Sequence, residues 1–152
     1  MLGPRFVHTS IVAADWRRLA AFYRDVFGCS AVPPERDLQG DAFERGTGVP
    51  TATARGVHLR LPGHGADGPT LEIFQYSPGA DRPPTAVNRQ GIAHLAFAVV
   101  DVAQARAAVL ANGGGAVGDV VTTRIDAGRL VSWCYVTDPE GNVIELQLVE
   151  AG

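Results

Sequence analysis

Phe6-Val7-His8-Thr9-Ser10-Ile11-Val12-Ala13-Ala14-Asp15 can be laid over Ile92-Ala93-His94-Leu95-Ala96-Phe97-Ala98-Val99-Val100-Asp101, which makes the chain an internal repeat. Each stretch is an apolar strand carrying one histidine, with an aspartate seven residues further on. Each then runs into a helical pattern and finishes on a similar strand, Leu71-Glu72-Ile73 in one copy and Ile144-Glu145-Leu146 in the other. Self-similarity of this kind fixes architecture before any single residue is interpreted. It predicts one domain over residues 1–152, with a first module over about 5–77, a Pro-rich linker over about 78–90 and a second module over about 91–150.

Phe6–Ala13 reads as a strand and Asp15 as the N-cap of a helix, because its carboxylate can accept free N–H groups of the first turn. Trp16, Leu19, Ala20, Phe22, Tyr23, Val26 and Phe27 recur at helical spacing, and Gly28 stops the helix. A short strand is expected near Cys29–Val32, then a long loop over Pro33–Thr53, then strands at Val57–Leu61 and Thr70–Tyr76. The second half repeats this order. Its strands are expected at Ile92–Val99, Val117–Thr123, Leu130–Thr137 and Val143–Val149, with a helix over Val102–Ala111. Asp138-Pro139-Glu140-Gly141-Asn142 is a turn signal. The fold class is α+β: two tandem βαβββ modules forming a curved, cup-shaped mixed sheet with helices outside.

Successive side chains of a strand point to opposite faces. The larger apolar sets, such as Leu95 with Phe97 and Leu71 with Ile73, belong under the helices. His8, Glu72, His94 and Glu145 therefore share the helix-free face. Two imidazoles and two carboxylates at repeat-equivalent positions form a donor set for one divalent transition metal, Ni, Zn, Co or Mn, and the lack of thiolate donors argues against a structural zinc site. His58 and His64 have no partner in the repeat and read as structural or solvated. Phe43, Phe74, Tyr76, Trp133 and Tyr135 are candidates for the substrate pocket, with core packing as the competing role. Arg89 and Arg129 are candidates for binding a substrate carboxylate, with solvated surface as the favoured role.

These features together resemble the vicinal oxygen chelate superfamily, which includes glyoxalase I, methylmalonyl-CoA epimerase, fosfomycin-resistance enzymes, extradiol dioxygenases and bleomycin-binding proteins. The resemblance rests on the paired modules, on His8-Thr9 with the helix end Phe22-Tyr23-Arg24-Asp25-Val26-Phe27-Gly28, and on Asp138-Pro139-Glu140-Gly141-Asn142-Val143-Ile144-Glu145-Leu146. It implies that His8, Glu72, His94 and Glu145 ligate the metal, as in glyoxalase I of the His/Glu/His/Glu type. It further implies a lyase or isomerase that moves a proton next to a carbonyl, through a metal-chelated enediolate on a small oxygenated substrate. Glu145 is then the catalytic base, with Glu72 holding the metal or serving the opposite face. Ala54 stands where epimerases resemble one another in carrying an acid, which weakens that reading. Val12 and Tyr76 stand where glyoxalase I grips the glutathione carboxylate, so the thiol need not be glutathione. The other readings are a drug- or metabolite-binding protein of the bleomycin-resistance kind and a dioxygenase. The resemblance also implies a homodimer.

The bulk numbers exclude several classes. The net charge is −3 over 152 residues, with no basic stripe to follow phosphates, so nucleic acid is not an expected partner. No lysine is present, which removes Schiff-base chemistry. No apolar run approaches the roughly 20 residues that span a bilayer, and Met1-Leu2-Gly3-Pro4-Arg5 does not read as a secretion signal. A cytoplasmic protein binding a small molecule is the expectation. Cys29 and Cys134 lack the short spacing of zinc or redox motifs and read as buried small hydrophobes.

Overall fold

A computed structural model describes residues 3–151. The chain divides into two compact units, one ending at Arg82 and the next beginning at Pro83. The architecture is α+β, with three helices and two mixed sheets among the described residues.

The first unit contains β1 (His8–Val12), α1 (Trp16–Phe27), β2 (Ser30–Leu38), α2 (Asp41–Thr47), β3 (Thr53–Arg60) and β4 (Thr70–Ser77). Its sheet order is β1-β4-β3-β2, with β1 parallel to β4 and the other neighbours antiparallel. Helix α1 begins where the Asp15 carboxylate accepts the Arg18 N–H at 3.1 Å. It ends at Gly28, whose φ of 69° is the left-handed conformation that a residue without Cβ adopts freely. Trp16, Leu19, Ala20, Phe22 and Tyr23 form its buried face. Leu59, Leu71 and Ile73 are the sheet side of that core, each fully buried.

The second unit contains β5 (Leu95–Ala98), α3 (Val102–Ala111), β6 (Gly115–Ala116), β7 (Val121–Asp126), β8 (Arg129–Thr137) and β9 (Val143–Ala151). Its main order is β5-β9-β8-β6, with β7 also paired to β8. Asp101 caps α3 as Asp15 caps α1, accepting the Gln104 N–H at 2.9 Å. Val102, Val109, Cys134, Val136, Ile144 and Leu146 form the core.

Three expectations need correction. Residues 33–53 are not a long loop: β2 runs on to Leu38, and α2 follows. Pro33 and Pro34 argue against a strand because they cannot donate to a ladder. Here β2 is an edge strand, and its register slips between Val32 and Arg36, so both prolines sit where no donor is required. The strand expected at Val117–Thr123 is instead two pieces. β6 pairs with Val136 and Thr137 at the end of β8, and β7 pairs with its beginning. This is β2 repeated with a wider break, since the two parts of β2 pair with opposite ends of β3 in the same way. Finally, His94 lies just before β5 rather than inside it.

Both cysteines are free and buried. Burial pushes the Cys29 thiol up to about 11 and raises that of Cys134, so both are held in the inert protonated form.

Candidate metal centre

In the first unit, Val57 and Leu59 of β3 line the space under Trp16 and Ala20 of α1. Alternation then puts Gly56, His58 and Arg60 on the helix-free face. The ladders add Glu72, which stands across from His58 on one side and Ser10 on the other. His8, two residues before Ser10, belongs to the same face.

Three side chains meet there. His8 Nε2 lies 3.6 Å from one Glu72 oxygen, and His58 Nε2 lies 3.2 Å from the other. The imidazole rings of His8 and His58 approach edge-on at 5.8 Å. One donor atom from each of His8, His58 and Glu72 lies within 4.8 Å of the others. Donors bonded to one cation at about 2.0–2.2 Å are separated by about 3 Å when adjacent and just over 4 Å when opposite. The trio is close enough together for all three to turn toward one cation. Its chemistry, two imidazoles and a carboxylate, suits a borderline divalent transition metal.

His58 is held for the part. Its Nδ1 is 3.2 Å from the Thr70 hydroxyl, which orients the ring and turns Nε2 toward Glu72. Desolvation by burial lowers its pKa; Glu72 opposes the shift, while Arg36, His8 and Arg60 add to it. The neutral, ligating imidazole is favoured.

In the second unit, His94 Nε2 lies 2.9 Å from Glu145 Oε2. Tyr135 stands across the ladder from Glu145, with its ring 5.1 Å from that of His94. Tyr135 is thus the register equivalent of His58, and His94–Glu145–Tyr135 is the second-unit version of His8–Glu72–His58. Comparing sequence copies end to end misses this pairing. Cross-strand register, counted from Glu72 and from Glu145, finds it.

The aromatic candidates fall on the same faces. Phe74 meets the His58 ring edge-on at 5.8 Å, and Phe43 of α2 stacks on Tyr76 at 5.9 Å. Trp133 meets Tyr135 at 5.3 Å, and its indole N–H donates to the Thr123 hydroxyl. His64 is exposed in the turn between β3 and β4. Arg129 is tied to Asp126 at 2.6 Å on the surface.

No helix among the described residues is long and apolar enough to cross a membrane. Among solved structures, a glyoxalase family protein from Bacillus cereus is 18% identical, with 98% of this chain and 95% of that one covered and a TM-score of 0.73. A glyoxalase/bleomycin resistance protein/dioxygenase family enzyme from Burkholderia phytofirmans is 15% identical, covering 94% and 97%, with a TM-score of 0.61. A mutant fosfomycin resistance protein from Listeria monocytogenes, in complex with Mn(II) and a dihydroxypropylphosphonic acid, is 16% identical, covering 96% and 92%, with a TM-score of 0.54. At these identities the likeness is one of fold. No curated protein sequence matches the chain. The family model of the glyoxalase/bleomycin resistance protein/dioxygenase superfamily matches residues 5–146, nearly the whole sequence, and the chain belongs to that superfamily.

Proposed function

We propose that this protein is a metal-dependent lyase or isomerase of the glyoxalase kind, moving a proton between neighbouring carbons of a small oxygenated substrate. The observation that carries the reading is the His8–His58–Glu72 donor cluster, echoed by His94 and Glu145 at equivalent positions of the second unit. His8, Glu72, His94 and Glu145 are the proposed metal ligands, with Ni, Zn, Co or Mn as candidates, and His58 joins them from the first unit. A divalent cation bound by such donors supplies Lewis-acid stabilisation of charge developing on a substrate oxygen.

The remaining work falls to the side chains. Glu145 is the proposed base: one of its oxygens takes the proton from the carbon beside the carbonyl and returns it to the adjacent carbon. Side-chain exposure of only 20% keeps the carboxylate out of bulk water while leaving it reachable. Positioned proton transfer of this kind contributes about 10²–10⁴-fold to rate. Glu72, at 16% exposure, holds the first-unit imidazoles and serves a substrate of the other hand. Phe43, Phe74, Tyr76, Trp133 and Tyr135 are proposed to line the substrate's path. A cytoplasmic homodimer is the proposed state.

The aromatic contacts also suit a second reading, a binding protein that sequesters a flat drug or metabolite. Metal content separates the two, because a near-stoichiometric transition metal after metal-replete growth belongs to the enzyme. The activity test is isomerisation of thiohemiacetals formed from 1,2-dicarbonyls and several thiols, comparing wild type with Glu145→Gln. Turnover should fall by at least about 10²-fold in the variant. Metal-loaded wild type that turns over none of these adducts would refute the glyoxalase reading.

A further inference from the structure

Beside the donor cluster, the first unit holds a cavity of about 250 Å³ whose lining includes Arg5, Arg36 and Arg60, with His58 and Thr70 on one side and Asp67 as its carboxylate. His58 belongs to both places, since its Nε2 faces Glu72 and its Nδ1 faces Thr70. Resting on the reading of that cluster as the reacting centre, we propose that the cavity is the subsite for a doubly charged oxyanion carried by the substrate, a phosphate monoester.

Three observations support it. Arg17, Arg24, Arg45, Arg55 and Arg129 each ion-pair with a carboxylate; among the described residues no carboxylate pairs with Arg5, Arg36 or Arg60, and these three converge on one cavity. Arg36 and Arg60 donate instead to backbone carbonyls, those of Pro34 and Gly68. Each such bond uses one N–H, and a guanidinium has five N–H donors in all, so most remain for a ligand. Guanidiniums without a carboxylate partner are donors that phosphate oxygens bind strongly, through charge-assisted bonds. The lining also has the wrong charge for a cation and too much charge for a neutral substrate. A lone carboxylate needs one such guanidinium, whereas a dianion with three terminal oxygens can use all three. The Thr70 hydroxyl, buried beside His58, adds a neutral hydrogen-bonding group.

The test uses the full chain freed of metal by chelation, titrated calorimetrically with inorganic phosphate, ethyl phosphate and malonate. Both phosphates should bind saturably, and the Arg36→Gln/Arg60→Gln double variant should weaken them by roughly tenfold or more. Arg17→Gln, whose guanidinium pairs with Glu35 at 3.0 Å, should bind like wild type. Arg60→Lys should recover part of the loss with native circular dichroism. Four results would overturn the subsite: no saturable binding, equal binding by the double variant, rejection of the ester while inorganic phosphate binds, or malonate binding in place of both phosphates. A parallel metal titration keeps the two readings apart. Anion binding without metal binding supports the cavity as a phosphate-ester site and sinks the catalytic reading, and with it the ester's part in a reaction at the cluster. Metal binding without anion binding overturns the subsite and leaves the catalytic reading standing.

Discussion

Phe74 lies so close over Gly56 that an added Cβ would sit 2.0 Å from Phe74 Cδ1 and 2.0 Å from the Ile73 carbonyl oxygen. Gly56→Ala must therefore displace the ring that packs on His58 and also part β3 from the β4 backbone. The expected cost is about 1–3 kcal/mol, read from urea unfolding. Gly46→Ala in α2 meets open space and should be neutral or stabilising by about 0.5–1 kcal/mol. His58 gives the sharper functional prediction. Replacing it with Gln should weaken transition-metal binding by roughly tenfold or more in competition with a chromophoric chelator, while Tyr135→Phe should leave affinity unchanged. Equal effects would mean that His58 is no more a metal ligand than its register equivalent. His8, Glu72, His94 and Glu145 were legible as candidates because each has a counterpart at the same place in the repeat. His58 was not, because the second copy carries a tyrosine there, and the sequence alone does not display which residues face one another across a ladder.

The turn between β8 and β9 sets the register that puts Tyr135 across from Glu145, and Asp138 builds it. Its buried carboxylate accepts the N–H groups of Glu140 and Asn142 at 2.9 Å and the Asn142 side-chain amide at 2.6 Å. Gly141, at φ 82°, then closes the loop. Asp138→Ala leaves these donors without an acceptor and should cost roughly 3 kcal/mol. Asp138→Asn should lose less, since it keeps one oxygen. Thermal unfolding of the two variants checks the order. The composition of this turn announced it, as did the caps Asp15 and Asp101, because local hydrogen bonding dictates those residue types. The run of edge strand β2 beyond Val32 was hidden for the opposite reason. Its prolines are allowed by a slip in pairing with β3, a tertiary fact that no local pattern carries.

At the scale of the whole chain, the repeat made the βαβββ order of each half readable, because both copies must bury the same helix-facing stripe. What it left open was how far each edge strand departs from its counterpart: β2 stays continuous, while β6 and β7 separate. The placement of the two thiols has a practical outcome. Cys29 falls in the first unit and Cys134 in the second, and both are shielded. Each is therefore a built-in reporter on its own half. Iodoacetamide at neutral pH should leave the native chain unlabelled, and mass spectrometry during a denaturant series should show each site alkylated only as its surroundings open. Prompt modification of either site in buffer would contradict its burial. Two separate midpoints would show that one half can come apart while the other stays folded, and a shared midpoint would make the duplicated halves a single cooperative body.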